Sequence, residues 1–317
     1  MQKLYATGFN AWGQLNFDAE PNTEPDDVET FTHVLSANAI TSIRPALSYT
    51  TVTTSDGNSK AGTSTVGDAD RLAHFSEALN GQVVVYDKSD GGILLQYPSV
   101  ADLLKEILEC KCFLGFPDVV QVVAYDVGFA ALSADGSVWT WGDARFPECL
   151  GRDAALKSAD VPGLVAALKG LPTGPIVKLA AGGYVLAALT KGQDLYCWGG
   201  YPGRRPVVLE GLMGEPSPIV VSVTPDAAST GEVGEEDIVD VGVGDGHMIA
   251  LTASGSVCVI GSNASGQLGL GRDWKSANDT DVSKSWIKVG GFSSDEGRQA
   301  TSVYAGPRSS FVVVTEK

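Results

Sequence analysis

The sequence predicts an all-β chain that folds over residues 1–317 as a single β-propeller. We expect six blades, or seven if residues 63 to 116 contain another. Three observations lead to this fold class. Units of similar sequence recur along the chain, glycine is frequent at 38 residues while charged residues make up 19%, and the two ends resemble two halves of one unit. Short strands joined by tight, glycine-containing turns have this composition.

Three segments carry the repeat most clearly. Each begins with an apolar strand, passes through a glycine-containing turn into a second apolar strand, and ends with a hairpin and a strand that closes on glycine. The segments are 119–142, 176–199 and 238–261, with closing glycines Gly142, Gly199 and Gly261. Asp135-Gly136 and Ser254-Gly255 are typical of tight hairpins, because glycine supplies the positive φ. Such a sheet cannot bury both faces alone, so neighbouring sheets must stack against it.

Weaker copies and the chain ends complete the predicted ring. Residues 43–62 and 82–97 each have the pattern of a β-hairpin. Val303–Val314 resembles the first half of a unit, and Leu4–Leu15 resembles the second half. We therefore expect the N- and C-terminal strands to share one blade, which closes the ring and removes the open sheet edge.

The charge balance favours a protein partner. The chain has 22 Lys and Arg against 38 Asp and Glu, a formal net charge of −16. Nucleic-acid binding depends on Lys and Arg, so we expect no direct binding to nucleic acid. We also expect no membrane association, because no apolar run is long enough to span a bilayer. An acidic surface fits a basic protein partner, with the chain as a monomer or in a heterodimer.

Cysteine usage and the first residues predict the compartment. Met1–Tyr5 lack the apolar core of a signal peptide. The five cysteines are scattered and odd in number, which is typical of reduced thiols. We expect the protein in the cytoplasm, the nucleus or both.

Two glycine-rich segments resemble a known family. Gly261–Gly271 (GSNASGQLGLG) and Gly8–Leu15 (GFNAWGQL) resemble the hallmark of regulator-of-chromosome-condensation repeats, and Trp141-Gly142 and Trp198-Gly199 fit the same pattern. The resemblance implies a propeller fold. The founding member of the family is an exchange factor for the small GTPase Ran. The layout also resembles two short types within the family, an animal type that partners a JmjC oxygenase and a fungal type similar to the alpha-tubulin suppressor.

We expect the chain to be a non-catalytic scaffold or adaptor that binds a protein partner through one face of the propeller. Resemblance to the animal type implies a role in chromatin regulation with a JmjC oxygenase. Resemblance to the fungal type implies an adaptor for a small zinc protein in tRNA modification and diphthamide synthesis. Resemblance to the founding member implies guanine-nucleotide exchange on a small GTPase.

We do not expect an enzyme. The three histidines are isolated, and no His/Cys/Asp cluster has the spacing of zinc ligands. The sequence therefore predicts no catalytic residue, no cofactor and no metal. Cys110 and Cys112 are too close for a structural zinc pair and are predicted to be buried thiols at the end of a helix. Gly242–Gly246 lacks the helix and lysine of a nucleotide loop and is predicted to be a blade turn.

Two insertions interrupt the repeat. Residues 99–109 have the pattern of a short amphipathic helix, with Ser99 as the cap and Asp102 three residues on. We expect its apolar face to pack on the propeller. Residues 225–237 form an acidic stretch that is predicted to be a solvated loop.

The candidate partner-binding residues are large or cationic side chains in the loops that follow the strand ends. Propellers present such loops on their circular faces, and aromatic and arginine side chains are natural anchors there. The candidates are Trp12, Arg145, Phe146, Tyr201, Arg204, Arg205, Arg272 and Trp274.

Overall fold

The chain forms two compact units, each built from antiparallel sheets. The computed structural model describes residues 1–17, 25–64, 74–105, 109–116, 118–200, 209, 212, 217–224, 235–274, 281–292 and 297–316. The first unit comprises the described residues of Met1–Ser64, Arg205–Glu210 and Ser222–Lys317. The second comprises those of Thr65–Arg204 and Gly211–Val221. Each unit contains three sheets among these residues.

One sheet of the first unit contains both ends of the chain. From one edge to the other its strands are β2 (Val28–Ala37), β1 (Gln2–Gly8), β23 (Ser309–Glu316) and β22 (Arg298–Gly306). The strands β1 and β23 pair antiparallel, from Gln2 opposite Thr315 to Gly8 opposite Ser309. The prediction that the N- and C-terminal strands share one blade is confirmed.

The other two sheets of the first unit follow chain order. One contains β3 (Ile40–Pro45), β4 (Tyr49–Thr54) and β5 (Gly57–Gly62). The other contains β18 (Ile238–Val243), β19 (His247–Thr252), β20 (Val257–Ser262) and β21 (Val282–Val289).

The second unit has three four-stranded sheets, also in chain order. The first contains β6 (Ser76–Glu77), β7 (Val83–Asp87), β8 (Ile93–Tyr97) and β9 (Lys111–Leu114). The second contains β10 (Val119–Tyr125), β11 (Gly128–Ser133), β12 (Val138–Gly142) and β13 (Gly163–Leu164). The third contains β14 (Ile176–Gly182), β15 (Val185–Thr190), β16 (Leu195–Gly199) and β17 (Ile219–Val221). The described part of residues 63–116 thus forms one sheet, and the prediction of six blades is confirmed with six sheets in the described chain.

The second strand of each clear repeat is buried along its whole length. All six residues of β11, β15 and β19 are buried. A strand covered on both faces reads as a continuous apolar run rather than an alternating one. Ala131, Ala188 and Ala250 are buried in these strands, and their small side chains let the neighbouring sheets pack closely.

The first strands β10 and β18 carry a β-bulge at the same position, and in each of them the residue after the bulge links the strand to a neighbouring sheet. The register shifts between Val119 and Gln121 in β10 and between Ile238 and Asp240 in β18. The Gln121 amide donates to the Leu179 carbonyl at 2.7 Å and accepts from the Leu179 N–H at 2.8 Å, which joins β10 to β14. In the same way, the Asp240 carboxylate accepts from the N–H of Val303 in β22 at 2.9 Å.

The two tryptophans at the Trp-Gly strand ends belong to the core. Trp141 and Trp198 are 1% and 0% exposed. Trp141 Nε1 donates to Gln96 Oε1 at 2.9 Å, and Trp198 Nε1 donates to the Cys149 carbonyl at 3.1 Å. Their indoles therefore fill space between strands and satisfy their own polar atoms.

The two predicted insertions lie partly outside the described residues. Helix α1 spans Val100–Leu104, and the Ser99 hydroxyl accepts from the Asp102 N–H at 3.2 Å. Val100 and Leu103 are buried while Leu104 is 48% exposed. Residues 106–108 and 225–234 lie outside the described residues. Among the described helices, none is long and apolar enough to cross a membrane.

The burial prediction for the closely spaced thiols is wrong. Cys112 is exposed on β9 and Cys110 is half-buried ahead of it, whereas both were expected to be buried at a helix end. Helix α1 ends at Leu104, and Cys112 lies on β9, which is an edge strand of its sheet. Edge strands have one side open to solvent, which explains the exposure.

Candidate protein-binding site

The loop after β1 is held by its own polar side chains. The Asn10 carbonyl accepts from the Gly13 N–H at 2.8 Å, and its side-chain oxygen accepts from the Leu15 N–H at 2.9 Å. Leu15 is then placed in the core at 1% exposure. The Asn10 amide group donates to the carbonyl of Asp26 at 3.1 Å. The loop is therefore a rigid turn in which backbone donors and acceptors are paired.

The loop after β20 repeats the two hydrogen bonds that Asn10 accepts within its own loop. The Asn263 carbonyl accepts from Gly266 N–H at 3.1 Å, and its side-chain oxygen accepts from Leu268 N–H at 2.9 Å. Asn263 is 2% exposed and Leu268 is 0% exposed. Asn263 thus shares the role of Asn10, and its burial agrees with the structural use of this asparagine.

Trp12 and Ser265 occupy the same place in these two loops. The Trp12 N–H donates to Gln14 Oε1 at 3.0 Å, and the Ser265 N–H donates to Gln267 Oε1 at 2.8 Å. The bond uses only the backbone of the first residue, so the turn forms with either side chain. Trp12 is nevertheless the larger residue and is 53% exposed. The tryptophan therefore adds an exposed indole that the turn does not require.

Three further residues lie in or against the loop that carries Trp12 and were not predicted from the sequence. The Gln14 amide donates to the Phe9 carbonyl at 2.8 Å and to the Leu47 carbonyl at 3.1 Å, which brings the β3–β4 turn against the loop. Leu47 is 38% exposed. The Arg308 guanidinium lies 5.8 Å from the centre of the Phe9 ring. We call Phe9, Trp12, Leu47 and Arg308 the Trp12 surface.

Carboxylates border the Trp12 surface. Asp27 Oδ1 accepts from the Asn10 N–H at 2.9 Å, and Asp26 is exposed next to it. Two acidic residues and one arginine thus accompany the apolar groups. A surface that combines aromatic rings with carboxylates suits a cationic ligand.

Arg145 and Phe146 lie together in the second unit, in the loop after β12. Arg145 donates through Nε and Nη2 to the Asp143 carboxylate at 3.0 and 2.6 Å and lies 5.7 Å from the centre of the Phe146 ring. Phe146 packs on Tyr184 with ring centres 4.9 Å apart. The Arg145 guanidinium lowers the pKa of Asp143. The Arg145 guanidinium and the Phe146 ring therefore already have partners within the protein, the Asp143 carboxylate and the Tyr184 ring.

The remaining predicted residues divide into two groups. Arg272 lies in the first unit, where its Nε is 3.6 Å from Glu29 Oε1, and Trp274 is half-buried near it in sequence. Tyr201, Arg204 and Arg205 lie outside the described residues.

Two histidines are placed by the structure in opposite settings. His247 is fully buried, and its Nε2 lies 3.1 Å from Ser310 Oγ and 3.3 Å from the Ser309 carbonyl. Burial lowers the pKa of His247 to about 4. His33 is exposed and bonds to Ser36 Oγ at 2.8 Å. Within the described residues, no three or more His, Cys, Asp or Glu side chains group as metal ligands would.

Turn chemistry could have indicated the missed neighbours. Arg308 follows Pro307 in the turn between β22 and β23, and Leu47 lies in the corresponding turn between β3 and β4. Antiparallel pairing places such turns beside the loop that follows the third strand. Which turns carry exposed side chains, however, depends on packing between sheets.

Comparisons with known proteins agree with the repeat. A family model described as the regulator of chromosome condensation (RCC1) repeat matches residues 238–267. The chain is 29% identical over 153 residues to the human regulator of chromosome condensation. It is 31% identical over 156 residues to an RCC1-like G exchanging factor-like protein from Mus musculus. These alignments cover 48% and 49% of this chain and 33% and 32% of the relatives, so the matched part is about a third of each relative.

Solved structures show the fold. Prp20p from Saccharomyces cerevisiae, described with its binding properties to Gsp1p and histones, matches 100% of this chain and 92% of its own with a TM-score of 0.65. Human WBSCR16 matches 100% of this chain and 99% of its own with a TM-score of 0.63. Sequence identity is 14% and 15%. The shared feature at this identity is the β-propeller fold.

Proposed function

Because this chain belongs to the β-propeller family built from RCC1-type repeats, we propose that it is a protein-binding scaffold whose Trp12 surface anchors a partner protein. One observation carries the proposal. Trp12 is 53% exposed at a position that Ser265 fills in an otherwise equivalent turn. Exposed tryptophans dominate binding free energy at many interfaces. A rigid loop loses little conformational entropy when it binds.

The partner is a protein with a basic contact segment. The chain carries a net charge of −16, which attracts a basic protein over a long range. Asp26 and Asp27 border the Trp12 surface. The indole face of Trp12 accepts a lysine or arginine side chain through a cation–π contact, as the Phe9 ring already does with Arg308.

The test compares Trp12→Ser with the wild type in affinity purification from the native cell, followed by calorimetry with the recovered partner. We expect Trp12→Ser to lose about 2 kcal/mol of binding free energy, close to a thirtyfold rise in Kd. Its unfolding midpoint should stay at the wild-type value, because serine is accommodated at the equivalent position of the sister loop.

Leu156→Ser is the matched control for that experiment. Leu156 is an apolar side chain in the second unit and is 88% exposed. We expect this variant to bind with wild-type affinity. Equal affinities for wild type and Trp12→Ser would refute the role of the Trp12 surface.

The other predicted contacts remain part of the proposal. They are Arg145, Phe146, Tyr201, Arg204, Arg205, Arg272 and Trp274. Reversal of Arg204 and Arg205 to Glu tests whether these two residues contribute to binding, and an unchanged Kd for the recovered partner would exclude them from the binding site. Arg145 and Arg272 each already contact a carboxylate, so we assign them smaller contributions than Trp12.

A second candidate function is guanine-nucleotide exchange on a small GTPase. It is supported by the similarity to the RCC1-like G exchanging factor-like protein and by the fold shared with Prp20p. The test is release of fluorescent GDP from a panel of small GTPases in the presence of the full chain. Release rates equal to those without the chain would remove this function and leave the scaffold proposal standing.

The recovered partner also decides between the finer predictions. A JmjC oxygenase would place the chain in chromatin regulation, and a small zinc protein would place it in tRNA modification or diphthamide synthesis. The proposed compartment is the cytoplasm, the nucleus or both, which is supported by the five free cysteines.

A further inference from the structure

Two thiols meet at the surface of the second unit, at the start of β9. Cys110 Sγ and Cys112 Sγ are 3.4 Å apart. Cys112 is exposed and Cys110 is half-buried. Nothing in the scaffold proposal uses this pair, and its exposure was not expected from the sequence.

We propose that Cys110 and Cys112 form a reversible intramolecular disulfide by exchange with a small-molecule disulfide such as glutathione disulfide. The sulfur atoms are already in contact and must approach to about 2.05 Å. Residues two apart in an extended strand have Cα atoms about 6.6 Å apart. That distance lies at the upper end of the range of about 4.4–6.8 Å for disulfides.

The backbone permits the small contraction that remains. β9 begins at Lys111, and its ladder pairs Lys111 with Gln96 and Cys112 with Leu95. Cys110 precedes this ladder and has no paired residue of its own in it, so its Cα is less constrained than that of Cys112. A disulfide closed in this way is exposed and slightly strained, which is typical of reducible rather than structural disulfides.

The exchange balances as two thiol–disulfide steps. The thiolate of one of the two cysteines attacks one sulfur of the small disulfide, whose S–S bond breaks and releases one small thiolate. The thiolate of the other cysteine then attacks the protein sulfur of the mixed disulfide and releases the second small thiolate. Two protein thiols are oxidised by two electrons, the small disulfide is reduced to two thiols, and these take up the two protons.

The two thiols are in hydrogen-bond contact, and either sulfur can be the donor. This hydrogen bond is the main cause that raises the pKa of Cys112. The thiolate is the reactive form, and the contact places the second thiol next to whichever sulfur reacts first.

The other cysteines serve as internal references. Cys149, Cys197 and Cys258 are buried. Burial raises the pKa of Cys149 and of Cys258 to about 12 and raises that of Cys197 as well. Buried thiols with raised pKa values are inert, so exchange should be confined to the exposed pair.

Lys111 lies between the two cysteines in sequence, so disulfide formation can disturb its ion pair. Its Nζ is 3.0 Å from Asp160 Oδ2, in the loop between β12 and β13. Both side chains are more than half exposed, and exposed ion pairs contribute little to stability. We therefore expect the oxidised chain to stay folded, with an unchanged far-ultraviolet circular dichroism spectrum.

The test treats the folded full chain with glutathione disulfide, alkylates the remaining thiols and maps the peptides by mass spectrometry. We expect the peptide with Cys110 and Cys112 to lose two hydrogen atoms and to lose alkylation at both sites. Dithiothreitol should restore both sites. Cys149, Cys197 and Cys258 should give the same signal before and after treatment.

Cys110→Ser and Cys112→Ser are the matched controls. Each keeps one thiol of the surface pair, exposed Cys112 or half-buried Cys110, so each should hold a stable glutathione adduct instead of closing a ring. A stable adduct on wild-type Cys110 or Cys112 would overturn the proposal. Two unmodified thiols in the treated wild type, with or without adducts on the single variants, would also overturn it.

Discussion

At the scale of single residues, most polar side chains of the glycine-rich segment stabilise its loop, whereas the Trp12 side chain does not. Asn10 and Gln14 bond to the backbone of their own loop, and Asn263 and Gln267 do the same in the sister loop. Trp12 contributes only its N–H to this network. Polar side chains that pair backbone groups are structural, so the exposed indole is the residue free for binding.

His247 makes the stability of the fold depend on pH. Burial lowers its pKa to about 4, below the ordinary value near 6.5. Between these values the unfolded chain binds a proton that the folded chain does not. The contribution of His247 is therefore complete above pH 6.5 and is lost as the pH falls toward 4, which corresponds to about 3 kcal/mol. Urea unfolding at a series of pH values measures it.

His247→Gln isolates this contribution from that of the carboxylates. The variant should lose less stability than the wild type between pH 6.5 and 4. His33→Gln removes an exposed imidazole and should follow the wild-type curve. Parallel curves for wild type and His247→Gln would show that His247 is not the group responsible.

At the scale of elements, polar side chains after the bulges link the first strands of neighbouring sheets. Asp240 accepts from Val241 N–H within β18 and from Val303 N–H in β22, both at 2.9 Å. Asp240→Ala would leave two N–H groups without this acceptor. We expect a loss of about 3 kcal/mol in the free energy of unfolding, measured by urea titration.

Asp273→Ala is the control for Asp240→Ala, since Asp273 is an exposed aspartate of the same unit. It should change the free energy of unfolding by less than about 0.5 kcal/mol. Equal effects of the two substitutions would argue against the link between β18 and β22.

The closing glycine of β20 is required by its backbone conformation. Gly261 has φ +103°, and a Cβ there would collide with the Gly246 carbonyl. Gly261→Ala should destabilise the chain by about 2 kcal/mol. Gly290→Ala is the control, because a Cβ at Gly290 meets no atom within 4 Å. Thermal unfolding of both variants measures the difference, and similar Tm values would contradict this explanation.

At the scale of the whole molecule, the fold depends on the sheet that joins the two chain ends. β23 lies between β1 and β22, and its Phe311 to Val314 side chains are buried in two core clusters of the first unit. A chain that ends at residue 308 would leave β1 without its ladder to β23 and both clusters incomplete. We expect it to show no cooperative thermal unfolding.

Complementation provides the control for that truncation. A synthetic peptide of residues 309–317 should restore a cooperative transition, because it can re-form the antiparallel pairing with β1 and β22. A truncated chain that unfolds with the wild-type Tm, with no peptide added, would contradict the importance of the shared sheet.

Local patterns predicted most of the strands but not all of the exposed groups. Apolar runs and Gly turns indicated the strands from β10 to β12, from β14 to β16 and from β18 to β20, because the second strand of each unit is buried along its whole length. The strand β2 has a mixed pattern of half-buried and exposed residues, so no apolar run marks it. The exposure of Cys110 and Cys112 could not be predicted, since it depends on where α1 ends and on β9 being an edge strand.

The sequence by itself determined the repeat, the propeller class and the sheet shared by both ends, because strand periodicity and turn residues are local and recur along the chain. It also indicated Trp12 as a binding candidate. Only the tertiary structure decided that Leu47 and Arg308 lie against the loop that carries Trp12 and that the two thiols touch at the surface. Leu47 and Arg308 reach this loop from segments distant in sequence, and the exposure of the thiols depends on the place of β9 in its sheet. No local pattern encodes either arrangement.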